Sequence, residues 1–307
     1  MQGVRARVRR SHPPTLLTVL ERALRQECGV EPGDRILVAV SGGGDSQALL
    51  HGLARLAPKL RFQVMAHGVD HGLRAEASAE LGLARDTCQS LGVPFSQSRV
   101  RVDPGGNLLA RARARRYAAL RAAQLETGAH FLATAHHADD RAETVLLRLL
   151  RGVSPSGLGV LPPRSEDLLR PMIRARRMDV LAHLRRHDVP FASDPSNENR
   201  RYLRVRVRLE LLPLLEQLSP RIVEHLTALA DAAAEQSPVV LVDGEGDSMT
   251  LSRAQRTALA RLLGRRAPGA SVTLTGGRQV RLAADGTLRV GAAPAPGLPG
   301  ARKVIKG

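Results

Sequence analysis

Hydrophobic and polar positions follow two rhythms along this chain. Short apolar or β-branched runs, Ile36 to Val40, Phe62 to Val69, Pro94 to Val102 and His130 to Ala135, read as strands. Between them, apolar residues recur at helical spacing over Thr15 to about Cys28, Gln47 to Ala54 and Ala75 to Gly92. A longer helix runs from the Gly105-Gly106-Asn107 cap to about Gly128, and His136-His137 opens the next. Strands and helices in this alternation predict an α/β fold: a parallel sheet with helices on both faces. Ligands in such sheets bind at the carboxyl ends of strands, where residues 41–46, 70–74 and 136–140 fall.

The rhythm breaks at Gly152 to Pro163, rich in Gly, Pro and Ser. A helix ending at His187, the turn Asp194-Pro195-Ser196-Asn197 and a basic stretch follow. A helical segment from Val207 to Glu235 is interrupted by Pro213 and Pro220. Beyond it, a short helix (Arg253 to Leu263) and a hairpin around Asp285-Gly286 predict a small α+β C-terminal domain. The expected division is therefore 1–213 and 214–307, the second part beginning with a helical linker. Residues 1–13 form a basic arm expected to be disordered, and the last sixteen residues are expected to fray.

Composition sharpens this picture. Hydrophobic residues make up 43% of the 307, but aromatics only 2% with no Trp, so the core must be Leu, Val and Ala. The net charge is +17, and only three of the 46 basic residues are Lys. Arginine forks match phosphate oxygens, which points to a polyanionic partner. Cys28 and Cys88 are the only cysteines and form no C-x-x-C, so a disulfide framework or zinc site is not expected. No apolar run approaches the ~18 residues of a membrane span. Glu21 and Arg22 make the first helix amphipathic rather than a signal segment. A soluble, cytoplasmic protein without a membrane partner is expected.

Candidate chemistry begins where the first strand ends, in Ser41-Gly42-Gly43-Gly44-Asp45-Ser46. Glycines at a strand-to-helix turn let backbone approach a ligand, and free N–H groups of a helix start attract an anion. An acid inside that nest suggests Mg²⁺ bridging Asp45 to a polyphosphate. The string is neither a Walker A loop nor a dinucleotide G-x-G-x-x-G. The bland alternative is an ordinary Gly-rich turn. It resembles the PP-loop, S-G-G-x-D-S, of the ATP pyrophosphatase superfamily. That resemblance implies ATP cleaved between the α- and β-phosphates, with pyrophosphate held in the loop.

The second informative string is His136-His137-Ala138-Asp139-Asp140-Arg141-Ala142-Glu143-Thr144. On a helix His136, Asp140 and Glu143 would share one face. A zinc site lacks a third strong ligand and an H-E-x-x-H, while acids at a helix start also occur without catalytic work. The string resembles a signature of the tRNA(Ile)-lysidine synthetase family. Further stretches resemble that family in order: Val69 to Arg74, Asn107-Leu108 with Ala112-Arg113 and Arg116-Tyr117, Arg170-Pro171, and Asp194 to Asn197 followed by Tyr202, Arg204, Arg206 and Arg208. Together they cover roughly residues 35–213.

This resemblance implies a ligase that adenylylates the wobble cytidine of CAU-anticodon tRNA(Ile) with ATP, after which free L-lysine displaces AMP. It implies catalytic roles for Asp45, Asp140, Arg116 and Arg204, with Asp45 on the metal. It implies nucleotide contacts from Ser41, Gly42, Gly43, Gly44, Asp45, Ser46, His71 and Arg74. Substrate contacts are implied for His136, His137, Asp139, Asp140, Glu143 and Arg113, and a homodimer is left open. Two positions depart from the family pattern: Val205 replaces an Asn and Arg141 a Gln. The competing expectations are a PP-loop tRNA thiolase, which usually needs paired cysteines or an iron–sulfur cluster, and a non-catalytic RNA-binding protein with a decayed loop.

Overall fold

A computed structural model describes residues 15–70, 72, 77–101, 108–192 and 200–236, with shorter pieces at 240–242, 248–251, 255, 258–259, 261, 271–274, 278–282 and 288–292. The chain forms two compact units, 1–234 and 235–307. In the first, helix α1 (Leu16–Arg22) is capped by the Thr15 side chain and widens into a π turn at Ala23–Glu27. Strand β1 (Arg35–Val40), helix α2 (Gly44–Leu60), β2 (Gln63–Asp70), α3 (Ala77–Ser90), β3 (Phe95–Arg99), α4 (Leu108–Thr127), β4 (Phe131–Ala133) and α5 (Ala138–Leu149) follow in strict alternation. Two short strands, β5 (Arg164–Ser165) and β6 (Leu168–Leu169), precede α6 (Arg177–Arg186). Helices α7 (Leu203–Arg206), α8 (Leu212–Leu218) and α9 (Ile222–Gln236) complete the unit.

The sheet runs β3-β2-β1-β4-β6-β5. All its pairings are parallel except β5 with β6, so the expected parallel sheet gains an antiparallel edge. Residues 164–169 make a tight reversal there, which only antiparallel pairing permits. Alternation along β1 explains why helices cover both faces. Ile36, Val38 and Val40 join the core under α1, α2 and α6, while Leu37 and Ala39 meet Leu120 and Tyr117 of α4. Strand order reverses between β1 and β4, so their carboxyl ends diverge and leave a crevice.

A third apolar cluster joins Ala142, Val145 and Leu146 of α5 to Val223, Leu226 and Ala230 of α9. Residues 214–234 thus pack within the first unit. Arg141 is fully buried at this junction; its Nε donates to the Val160 carbonyl at 2.9 Å and its guanidinium to Asp231 on α9 at 2.8 Å. That departure from the family pattern is a packing anchor away from the cavity described below. Pro213 falls in the first turn of α8, and helical backbone runs into it from the residues before. A π turn at Val207–Leu211 leads into it, so this proline does not interrupt the helix as expected.

The second unit contains β7 (Val240–Val242) paired antiparallel with β8 (Ser248–Thr250). A separate three-stranded antiparallel sheet holds β9 (Ser271–Thr273), β10 (Arg278–Leu282) and β11 (Leu288–Ala292), the last two being the expected hairpin. Leu251, Leu259, Leu274 and Val280 form its core. The basic arm 1–13, His71, Arg74, Asn107 and the Asp194-to-Asn197 turn lie outside the described residues.

Candidate active site

Helix α2 starts at Gly44, three residues earlier than its apolar spacing suggests, so Asp45 and Ser46 belong to its first turn. The N–H groups of that turn have no intrahelical acceptors and face the end of β1. Gly42 has φ +79°, and a Cβ there would stand 2.1 Å from the Glu80 carbonyl oxygen. Only glycine satisfies both the backbone angle and the close approach of α3. The loop is also braced from within. Ser46 Oγ donates to the Gly43 carbonyl at 2.9 Å and accepts from the Ser41 N–H at 3.2 Å. The Ser46 hydroxyl proton is therefore committed to the loop itself. From outside, the Ala192 N–H donates to the Gly42 carbonyl at 2.9 Å, and Gln47 Nε2 reaches Thr87 Oγ1 at 2.9 Å and the Pro190 carbonyl at 3.1 Å.

The loop opens on a cavity of about 480 Å³, whose lining includes Asp45, Arg116, Tyr117, His136, Arg177 and Arg208. The volume suits a nucleotide-sized ligand. Arg116 and Tyr117 come from α4, with the Arg116 guanidinium 5.7 Å from the tyrosine ring centre. Arg113 does not line the cavity; it is exposed and stacks on the same ring at 5.1 Å. His136 precedes α5 rather than sharing its face, because His137 is the N-cap. Its Nδ1 lies 3.0 Å from Thr134 Oγ1. Burial, reinforced by Arg170 and Arg113 and opposed by Asp140, pulls His136 down to about 4 and keeps it neutral at physiological pH.

Behind His136 the acids of α5 meet a row of arginines. His137 and Asp140 form a reciprocal capping box: Asp140 Oδ2 accepts the His137 N–H at 3.1 Å, and His137 Nδ1 accepts the Asp140 N–H at 3.4 Å. Asp140 Oδ1 also accepts from Arg204 at 3.0 Å. Burial raises the Asp140 carboxyl, but His137, His136 and Arg204 outweigh it, and its pKa is lowered. Asp139 pairs with Arg176 and the Arg177 N–H and stands 3.5 Å from His137 Nδ1; despite burial, His137 and then these partners hold it low. Glu143 is only 1% exposed and gripped by Arg204 Nε at 2.9 Å and Arg208 Nε at 2.6 Å. Arg204 therefore pairs with these acids and does not line the cavity, whereas Arg208, placed by the sequence only in a family-like basic tract, and Arg177, not singled out there, do.

Asp45 differs from these acids. Its side chain is 41% exposed. Burial raises its pKa; His137 opposes, and the Asp140 charge pushes it further up. Asp45 Oδ2 and Asp140 Oδ2 lie 3.7 and 3.6 Å from the same atom, His137 Nε2. A cation would relieve the crowding of these two anions. Among the described residues no group of three or more His, Cys, Asp or Glu could hold a metal by itself. That donor set suits Mg²⁺, which is commonly held by one or two carboxylates together with substrate phosphates.

Residues 16–215 match the family described as a PP-loop domain. The chain belongs to this family. The match spans the loop, the cavity and the acids of α5. Curated relatives that align well include the tRNA(Ile)-lysidine synthases of Symbiobacterium thermophilum, 40% identical over 235 residues, and of Thermotoga maritima, 34% identical over 198. These alignments cover 73% and 63% of this chain and 48% of each relative. The chain spans about half the length of the curated relatives it matches. Among solved structures, the U34-tRNA thiolase NcsA from Methanococcus maripaludis, with its [4Fe-4S] cluster, superposes with a TM-score of 0.60 at 16% identity. The superposition covers 71% of this chain and 79% of that one, a likeness of fold. No described helix of this PP-loop protein is long and apolar enough to cross a membrane.

Proposed function

We propose that this chain ligates lysine to C2 of the wobble cytidine of a CAU-anticodon tRNA(Ile), consuming ATP and releasing AMP and pyrophosphate. The observation that carries this reading is the convergence of Asp45, at the start of α2, and Asp140, at the start of α5, on His137 beside one cavity. The names of the aligned relatives support the same reaction.

In the first step the C2 carbonyl oxygen of the cytidine attacks the α-phosphorus of ATP, and pyrophosphate leaves. The N–H groups at the start of α2 and the Ser41 hydroxyl receive the leaving group. Asp45 would hold Mg²⁺, which supplies charge neutralisation on the phosphates. Arg116, Arg177 and Arg208 face the cavity and offset charge on the transferred phosphate. In the second step the bound lysine ammonium releases a proton to water, the free ε-amine attacks C2, AMP leaves with the bonding electrons of the C2–O bond, and the excess proton of the new C–N bond passes to solvent. Asp140 attracts the ammonium; with its pKa held low it is an anchor more than a strong base. Exposed Arg111, Arg113 and Arg115 on α4 supply phosphate-binding charge for the RNA, and the exposed Tyr202 ring is available for base stacking.

A thiolase is disfavoured by the cysteines. Cys28 and Cys88 are both buried, and burial raises their thiols to about 12 and about 11, so neither is a reactive thiolate. The test is incubation with radiolabelled lysine, ATP, Mg²⁺ and CAU-anticodon tRNA. Label in RNA, with stoichiometric AMP and pyrophosphate, is expected; unlabelled RNA would overturn the proposal.

A further inference from the structure

His137 is 1% exposed, yet its Nε2 makes no hydrogen bond among the described residues. A buried, unpaired ring nitrogen is costly and calls for a reason. Its surroundings supply one. Nδ1 accepts the Asp140 N–H at 3.4 Å, with Asp139 Oδ2 3.5 Å from the same atom; with Nδ1 as acceptor the neutral ring carries its proton on Nε2, and a doubly protonated ring, which would turn Nδ1 toward Asp139 instead, carries one there as well. Asp45 Oδ2 and Asp140 Oδ2 stand 3.7 and 3.6 Å from that nitrogen, too far for a hydrogen bond to either but within a small side-chain adjustment of both.

We infer that His137 is a positioning residue shared by the two steps: its Nε2–H bridges the loop carboxylate and the ammonium-binding carboxylate and sets them side by side. This deepens the lysidine reading and rests on it. His137 was expected from family resemblance to contact substrate. Here it contacts neither cavity nor solvent and acts through Asp45 and Asp140 instead. Its ring is fixed from behind by the capping box, so the donor direction is set by the start of α5. One rigid N–H thus serves the carboxylate proposed for nucleotide activation and the one proposed to receive lysine.

Two single-turnover measurements separate the steps: pyrophosphate release from ATP and tRNA without lysine, and lysine transfer from preformed adenylylated tRNA. His137→Leu is expected to slow both by about 10–100-fold, with the circular dichroism of the wild type. His137→Gln, which keeps an N–H donor, is expected to recover most of both rates. Nitrogen-15 NMR of the metal-free wild-type protein is expected to show His137 protonated at Nε2. A loss confined to one step, no recovery with Gln, or a neutral ring protonated only at Nδ1 overturns the bridge; the NMR result holds even if the Leu variant does not fold. A wild-type protein that performs neither step overturns the lysidine reading, and the bridge falls with it.

Discussion

Arg208 Nε lies 2.6 Å from Glu143 Oε1 while the same arginine lines the cavity, so one guanidinium ties a fully buried acid to the ligand space. Arg204 grips the other carboxylate oxygen. Glu143, expected to support substrate binding, is therefore sealed by two cations and acts as their anchor. Glu143→Ala would leave Arg208 partly buried with only Asp140 Oδ1, 3.6 Å away and already shared with Arg204, to balance it. We expect a loss of about 3 kcal/mol in urea unfolding, the lower end for breaking a buried pair because both arginines keep some solvent contact. Stability within about 0.5 kcal/mol of wild type would show that the arginines find water instead.

Asp45 stands apart from Asp139 and Asp140 because, among the described residues, no arginine pairs with it and burial raises its pKa where theirs are lowered. Asp45→Asn removes the charge without changing shape. Pyrophosphate release should fall at least ~100-fold, since the charge contribution at the phosphates is lost. Affinity for tRNA, measured by gel shift, should change by less than about 3-fold, because RNA phosphates are met by separate arginines. Parallel loss of binding would contradict that division.

Gly42 is the most constrained position of the loop. An alanine there meets the Glu80 carbonyl at 2.1 Å and must hold φ at +79°. Moving α3 or flattening the loop costs about 1–3 kcal/mol. Gly43 has no such neighbour; a Cβ there meets only Ser41 Oγ, at 3.5 Å. Gly42→Ala should therefore lower both the thermal midpoint and nucleotide affinity, while Gly43→Ala leaves the thermal midpoint near wild type. Equal midpoints would show that α3 yields easily.

The parts of this protein that were legible in the sequence are those set by local pattern. The apolar run of β1, the glycines of its turn and the acids after His137 each announce a strand, a nest or a helix start. The capping partnership of His137 with Asp140 escaped notice because histidine is an uncommon cap beside Ser, Thr, Asp and Asn. The reach of Arg208 into the cavity depends on α7 and the π turn crossing in front of α5, a tertiary fact without local signal. Arg141 departs from the family pattern inside a site motif, yet its partner Asp231 is on α9 and only the packed structure brings the two together.

Three histidines join the helix that carries the loop to α6. His51 Nδ1 lies 2.9 Å from His183 Nε2, and the His187 ring stands 4.9 and 4.6 Å from theirs. Burial pulls His51 and His183 down to about 4, helped by His187 and Arg55 at the first and by His51, His187 and Arg186 at the second. Both values lie below the unfolded value of about 6.5. Between these limits the unfolded chain binds more protons than the native one, so stability rises with pH across the window. The contribution is complete above about 6.5 and drains away as pH falls toward about 4. Near pH ~5 unfolding should take up about two protons through this pair. Urea midpoints measured across that range should fall steeply for wild type and less so for the double variant His51→Leu, His183→Leu. The double replacement is needed because a single one strands the remaining imidazole nitrogen. Equal slopes would mean that the acid sensitivity lies elsewhere, and α2 would then owe nothing to these rings for its hold on α6.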